Sequence, residues 1–171
     1  MSKYTLRVKL SPAGVKQLVD NFSVIQNKLP ELNQEFISES LDFLEERAKF
    51  HLQKSYTNSW YKRTETLMNS FKKDVAAQSL INDCWYAALV EYGTGIRGKG
   101  THPLPGDYVY DTNEHGEDGW YFYDAEGNLR WTNGMQAHRF MLEAVNDYYF
   151  KGEYKRIFER VFNRLIGGEI K

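Results

Sequence analysis

Cysteine is almost missing from this chain. Cys84 is the only one, which excludes an internal disulfide and fits a reducing compartment. No apolar run reaches the length that a membrane span needs. The first ten residues, MSKYTLRVKL, hold no apolar h-region, so no signal peptide is expected. Neither sign of charge dominates. The formal net charge is −1 over 171 residues, and nothing global points to nucleic acid. Internal repeats, low-complexity tracts and linkers are also lacking. The expectation is one soluble, cytoplasmic domain over residues 1–171 with a real core and no contact with a membrane.

Aromatic residues, by contrast, are abundant, at 15%. Extra Tyr, Trp and Phe serve protein–protein surfaces as well as cores. Tyr4, Leu6, Val8 and Leu10 alternate with polar residues, which predicts a half-buried strand. Ser11-Pro12 reads as an N-cap followed by proline in the first turn. A helix then carries Val15, Leu18, Val19, Phe22, Ile25 and Leu29. Pro30 is expected to break it and to open a second helix running to about Tyr56. On that helix Phe36, Phe43 and Phe50 line one flank. Ile37, Leu41, Leu44, Ala48 and Leu52 line another, so the apolar arc is roughly 200° wide. One flank can cover the chain's own core and the other a neighbouring subunit; packing on both sides within one domain is the alternative.

Further on, residues 63–71 predict a helical turn and 71–83 one or two strands. Residues 83–92 fit a strand or a short helix. Trp120–Tyr123 and Leu129–Thr132 predict a hairpin whose turn places Gly127 in a left-handed conformation. Helical spacing resumes near Met135, with a bend or interruption at Gly152 and a stop at Gly167-Gly168. These elements predict an α+β fold: long N-terminal helices and a C-terminal helix on a small, mainly antiparallel sheet with an extended hairpin.

Five of the 13 glycines lie between Gly93 and Gly106. Gly93, Gly95 and Gly98 match G-x-G-x-x-G, and Gly93 to Lys99 match the first seven positions of a P-loop. Both patterns need a helix directly after the loop to aim its amides at phosphate. Pro103 and Pro105 forbid a regular helix there, and Gly100 stands where a P-loop needs Ser or Thr. No nucleotide, and no other cofactor, is expected. Gly and Pro together should prevent both helix and ladder. The stretch is predicted to be an adaptable loop, separable from the fold, with Gly93, Gly95, Arg97, Lys99 and His102 as its candidate contact residues.

His51, His102, His115, His138 and Cys84 show no metal-ligand spacing, so no metal site is expected. His51 reads as a structural histidine. No nucleophile motif is present, and Cys84 reads as a buried apolar residue. Asp107, Asp111, Glu114, Glu117, Asp118, Asp124 and Glu126 make seven acids with no base between Gly106 and Gly127. The rest of the chain therefore carries +6. Interleaved with Tyr and Trp, these acids suit docking to a basic partner. A small hydrolase using two of Asp107, Asp111, Asp118 and Asp124 is the competing reading, and it requires a raised pKa. Residues 151–171 carry six bases and three acids, so Arg156 and Arg160 could face an acidic neighbour in a ring. The candidate interface comprises Phe36, Phe43, Phe50, Trp120, Tyr121, Asp107, Asp111, Arg156 and Arg160.

Four stretches, taken in order, resemble one family. They are RTETLMNSF (63–71), YAALVEYGTG (86–95), THPLPG (101–106) and TNGMQAHRFMLEAV (132–145). They are similar to the R-T-G-x-L-x-x-S, Y-A-x-x-V-E-[FY]-G-T, variable His/Pro loop and T-x-G-x-x-A-x-x-F-[ML]-x-x-A elements of the tail-completion, or neck, proteins of long-tailed bacteriophages, which include the lambda-type minor tail protein. Glu65 stands where glycine is usual, and His138-Arg139 where proline is common. The resemblance implies a structural virion protein and not an enzyme, made in the host cytoplasm. It implies a ring of copies, often six, at the head-proximal end of the tail. Its neighbours would be the tail terminator or tail tube and the head-closure or connector proteins. Arg97 and Lys99 would permit a weak, salt-sensitive contact with passing DNA. The neighbouring roles of tail terminator and head-tail adaptor remain alternatives.

Overall fold

The computed structural model describes residues 11–54, 65–103, 119–124 and 126–170. The strand expected at Tyr4–Leu10 lies outside them. The fold is α+β, with six helices and two antiparallel hairpins among the described residues. The chain forms two compact units. One takes residues up to Ser40 and from Glu153 onward; the other takes Leu41–Gly152.

The longest helix, α1, is Pro12–Lys54. It starts as expected: Gly14 N–H donates to Ser11 Oγ at 3.2 Å, which satisfies one of the free amides of the first turn. Pro30 does not break it, and the expected pair of helices is one. Proline in a helix interior costs about 3 kcal/mol. Here both Pro30 and Gln26 are exposed, so the carbonyl left without an N–H partner can be hydrated. Apolar burial on both sides of the proline, at Leu32, Leu41, Ala48 and Leu52, outweighs the local loss.

In the first unit, the early part of α1 pairs with α6, Glu153–Leu165. The two run antiparallel, because Arg160 meets Glu39 while Arg164 reaches Glu35 and Glu39. Phe36 and Phe158 pack edge to face at 5.8 Å. Leu32, Ile157, Val161 and Ile166 are its buried apolar side chains.

In the second unit, Leu41–Lys54 of α1 lies with α2 (Thr66–Asn69), α3 (Ala87–Tyr92), α4 (Gly95–Gly98) and α5 (Phe140–Phe150). Strands β1 (Phe71–Asp74) and β2 (Ser79–Asn82) pair with Phe71 opposite Asn82. Strands β3 (Trp120–Tyr123) and β4 (Leu129–Thr132) pair with Trp120 opposite Thr132. Ala48, Leu52, Leu67, Cys84, Ala87, Val90, Phe140 and Ala144 form one core cluster. Cys84 is thus the buried apolar residue that the sequence predicts. The ambiguous stretch before the glycines is helical, since Ala87 and Val90 are three apart and both enter this core. The final helical region starts later than Met135, at Phe140, and Gly152 with φ +71 separates α5 from α6.

Candidate functional site

The glycine stretch is built around a buried carboxylate. Glu91 sits on α3, where Val90 and Ala87 hold the helix in the core. Its Oε2 accepts the Met141 N–H at 2.8 Å and its Oε1 the Leu142 N–H at 3.0 Å. These amides belong to the first turn of α5, which has no partner for them within the helix. The carboxylate also meets the positive end of the helix dipole. Arg139, the residue before α5, is left-handed with φ 52 and makes no side-chain cap. Glu91, from a distant part of the sequence, caps the helix instead. Backbone bonds reinforce the joint: His138 N–H donates to Val90 O at 2.9 Å and Arg139 N–H to Glu91 O at 3.1 Å.

His102 completes the cluster. Its Nε2 lies 3.3 Å from Glu91 Oε1, and its ring centroid is 4.4 Å from that of Tyr92. The Nδ1 atom is buried without a hydrogen-bond partner. The charge of the same carboxylate also acts on His138. Burial pushes its pKa below the ordinary histidine value, against the opposing pull of Glu91.

The glycines permit two backbones to touch. Thr94 and Met135 exchange N–H···O bonds of 2.9 and 3.0 Å, and Arg97 N–H donates to Asn133 O at 3.3 Å. A Cβ on Gly93 would stand 2.7 Å from Ala137 N. One on Gly95 would strike Asn133 O, and one on Gly134 would strike Thr94 O. Thr101 Oγ1 accepts the Ala137 N–H at 2.9 Å and donates to Gly98 O at 2.7 Å. The expectation that glycine and proline would bar both helix and ladder is therefore corrected. A bridge forms at Thr94 and one helical turn follows it, because glycine allows the backbone approach that both require. Residues 93–103 are tied into the fold by the backbone bonds of Thr94 with Met135 and of Arg97 with Asn133, and by the Thr101 side chain at Ala137. Residues 104–106 lie outside the described part.

Among the candidate contact residues, Arg97 and Lys99 are exposed, whereas Gly93, Gly95 and His102 are buried. Glu91 and Gly134 were not singled out from sequence. The available signal was a lone acid inside the apolar run AALVEYG.

Seven of the expected interface residues lie among the described ones. Phe36 contacts Phe158, and Phe43 lies 6.2 Å from Tyr148. Phe50 is exposed, with the Arg47 guanidinium 4.3 Å from its ring centroid. Trp120 is half-buried, while Tyr121 is exposed and packs 4.7 Å from Trp131. Arg156 pairs with Glu153 at 2.8 Å and Arg160 with Glu39 at 2.7 Å, both within the chain. Asp107 and Asp111 lie outside the described residues.

Two carboxylates have defined structural work. Asp124 accepts the backbone N–H groups of Glu126 and Asn128 and the Arg130 Nε–H, which shapes the β3–β4 turn around left-handed Gly127. The Asn128 and Arg130 bonds lead in lowering its pKa to about 2. That is opposite to the raised pKa a general acid needs. Asp147 is buried and meets Arg47 at 2.5 Å, Lys151 at 2.5 Å and His51 at 3.0 Å. Burial pushes its pKa up, but hydrogen bonds from Lys151, His51 and Arg47 outweigh burial and hold it well below the usual carboxylate range. His51 is thus the structural histidine that the sequence predicts.

Large apolar side chains also stand in solvent. The β3–β4 register sets Tyr121 opposite Trp131 and Tyr123 opposite Leu129, and all four are exposed. Trp85 at 84% and Phe150 at 87% are almost fully exposed. Among the described residues, no helix is long and apolar enough to cross a membrane. Compared with known protein families, curated proteins and solved structures, the chain matches none of them.

Proposed function

We propose that this chain is a structural assembly protein of phage virions, of the tail-completion or neck kind. In this reading copies form a ring, six in number, at the head-proximal end of the tail. The ring meets the tail terminator or tail tube on one side and the head-closure or connector proteins on the other. The observation that carries the reading is the exposed aromatic face of β3–β4, formed by Tyr121, Tyr123, Leu129 and Trp131. A two-stranded hairpin is marginal alone in water, and large apolar side chains on an outer face favour a protein partner. The order of the four family-like stretches agrees with it. So does the joint between two of them, in which YAALVEYGTG and TNGMQAHRFMLEAV supply Glu91 and the amides it caps.

Arg97 and Lys99 are the charges this region offers to passing DNA. Two cations make only a weak, salt-sensitive contact. The test is light scattering after size exclusion, over a range of concentration and salt, with and without purified tails lacking this protein. A closed ring, or a monomer that becomes a ring on tails, is the expected result. A chain that stays monomeric and never joins tails overturns the reading.

A further inference from the structure

The first turns of α1 carry an apolar stripe that the other described residues of their unit leave in solvent. Val15, Phe22 and Leu29 recur every seven residues, and Val19, Gln26 and Asn33 follow each by four. Alternating steps of four and three define the seam of a left-handed helix pair. Val15 is 50% exposed, Val19 57%, Phe22 56% and Leu29 50%, and Gln26 and Asn33 are exposed as well. The helix meets its own unit through a different flank. There Leu18 and Ile25 are half-buried and Asn21 and Leu32 buried. The next seam position, Phe36, is covered by Phe158, so the open part ends at Asn33.

We infer that this stripe is a self-association surface, on which the same stripe of a second copy docks parallel and in register. The polar positions select the occupant. In a parallel pair, Gln26 faces Gln26 and Asn33 faces Asn33 of the second copy, and each amide can donate to and accept from its twin. An antiparallel pair sets Gln26 against Phe22 and Asn33 against Val15, which leaves both amides without partners on apolar side chains. Charge agrees with a copy of the same chain. The seam from Val15 to Asn33 holds no charged residue, and of the positions beside it (Lys16, Leu18, Ser23, Ile25, Pro30 and Leu32) only Lys16 is charged. A partner selected by opposite charge would find little to recognise there. With under three heptads, the pair is concentration-dependent. This inference stands on the stripe alone and does not depend on the phage reading.

The test uses the full chain. Sedimentation of the unmodified protein should show its mass doubling as concentration rises. Phe22→Glu and Leu29→Lys should each abolish the doubling while the helical circular dichroism stays unchanged. Val15→Cys should oxidise to a covalent dimer, because a parallel pair brings the two copies of residue 15 together, whereas an antiparallel pair holds them at opposite ends of the seam. The inference is overturned if the unmodified protein keeps the mass of one chain throughout. It is also overturned if association survives both charge substitutions, or if the Val15→Cys dimer does not cross-link. A ring that forms normally with Phe22→Glu would leave the assembly reading standing and remove this one.

Discussion

Glu91 and Met141 stand fifty positions apart in the chain, and the Glu91 carboxylate accepts the Met141 amide at 2.8 Å. That bond, with its neighbour to Leu142, makes one residue of α3 the cap of α5. Removing the carboxylate leaves two amides of a partly buried helix end unsatisfied. Glu91→Ala is expected to lower unfolding stability by on the order of 3 kcal/mol, read as a reduced denaturant midpoint. Glu91→Gln should fall between the two, because an amide oxygen still accepts but carries no charge toward the helix dipole. A variant as stable as the unmodified chain would remove Glu91 from this role.

Glycines of like backbone angle should respond differently to alanine. Gly127 has φ +81 and open space around its Cβ direction, so Gly127→Ala pays only the left-handed backbone cost of about 1–2 kcal/mol. Gly134 has φ +100 and the Thr94 carbonyl in the way. Gly134→Ala must also push the 94–135 bridge apart, and should cost clearly more in the same thermal melts. Equal losses would mean that the close approach is not what glycine serves.

Stability should fall in two stages as pH drops. Burial holds the folded pKa of His138 below the ordinary histidine value of 6.5. The unfolded chain therefore takes up that proton first, and stability declines from about pH 6.5 downward. Asp124 is lowered from 3.8 to about 2, and Asp147 is lowered as well. Their contribution is fully present above pH 4 and is lost as pH falls toward their folded values. Urea midpoints measured across pH should show both declines. Asp147→Asn should flatten the lower one and leave the upper one in place; an unchanged lower limb would contradict the assignment.

Pro30 lies inside α1, exposed and without an N–H to give Gln26. Pro30→Ala restores that bond and should raise stability, by up to about 3 kcal/mol. A lower melting temperature would show that the proline fits a bend the helix needs.

Local chemistry was legible wherever one short stretch decides the outcome. Ser11-Pro12 marks the start of α1, the alternation around DAEGN sets the β3–β4 hairpin, and Gly152 separates the last two helices. The helical spacing of Phe140 and Ala144 marks their place in the core, whereas residues 83–92 fit strand and helix equally until Ala87 and Val90 are seen to enter that core. Pro30 does not end the helix as its local penalty predicts, because a cost of a few kcal/mol says nothing of the burial on either side that overrides it. The glycines between Gly93 and Gly98 announce an unusual backbone, and Gly100, Pro103 and Pro105 after them exclude a phosphate loop. What they are for depends on Asn133, Gly134 and Ala137, which only the fold brings against them. Glu91 stands in the sequence only as one position of a family-like stretch; its partners are two backbone amides, which carry no side-chain signal. The sequence by itself determined where most of the described helices and the β3–β4 hairpin fall, because propensity and periodicity act within a few turns. Only the tertiary structure decided which glycine meets which carbonyl, which acid caps which helix and which arginine is already paired. Those choices rest on contacts between residues tens of positions apart, set by the packing of the whole unit.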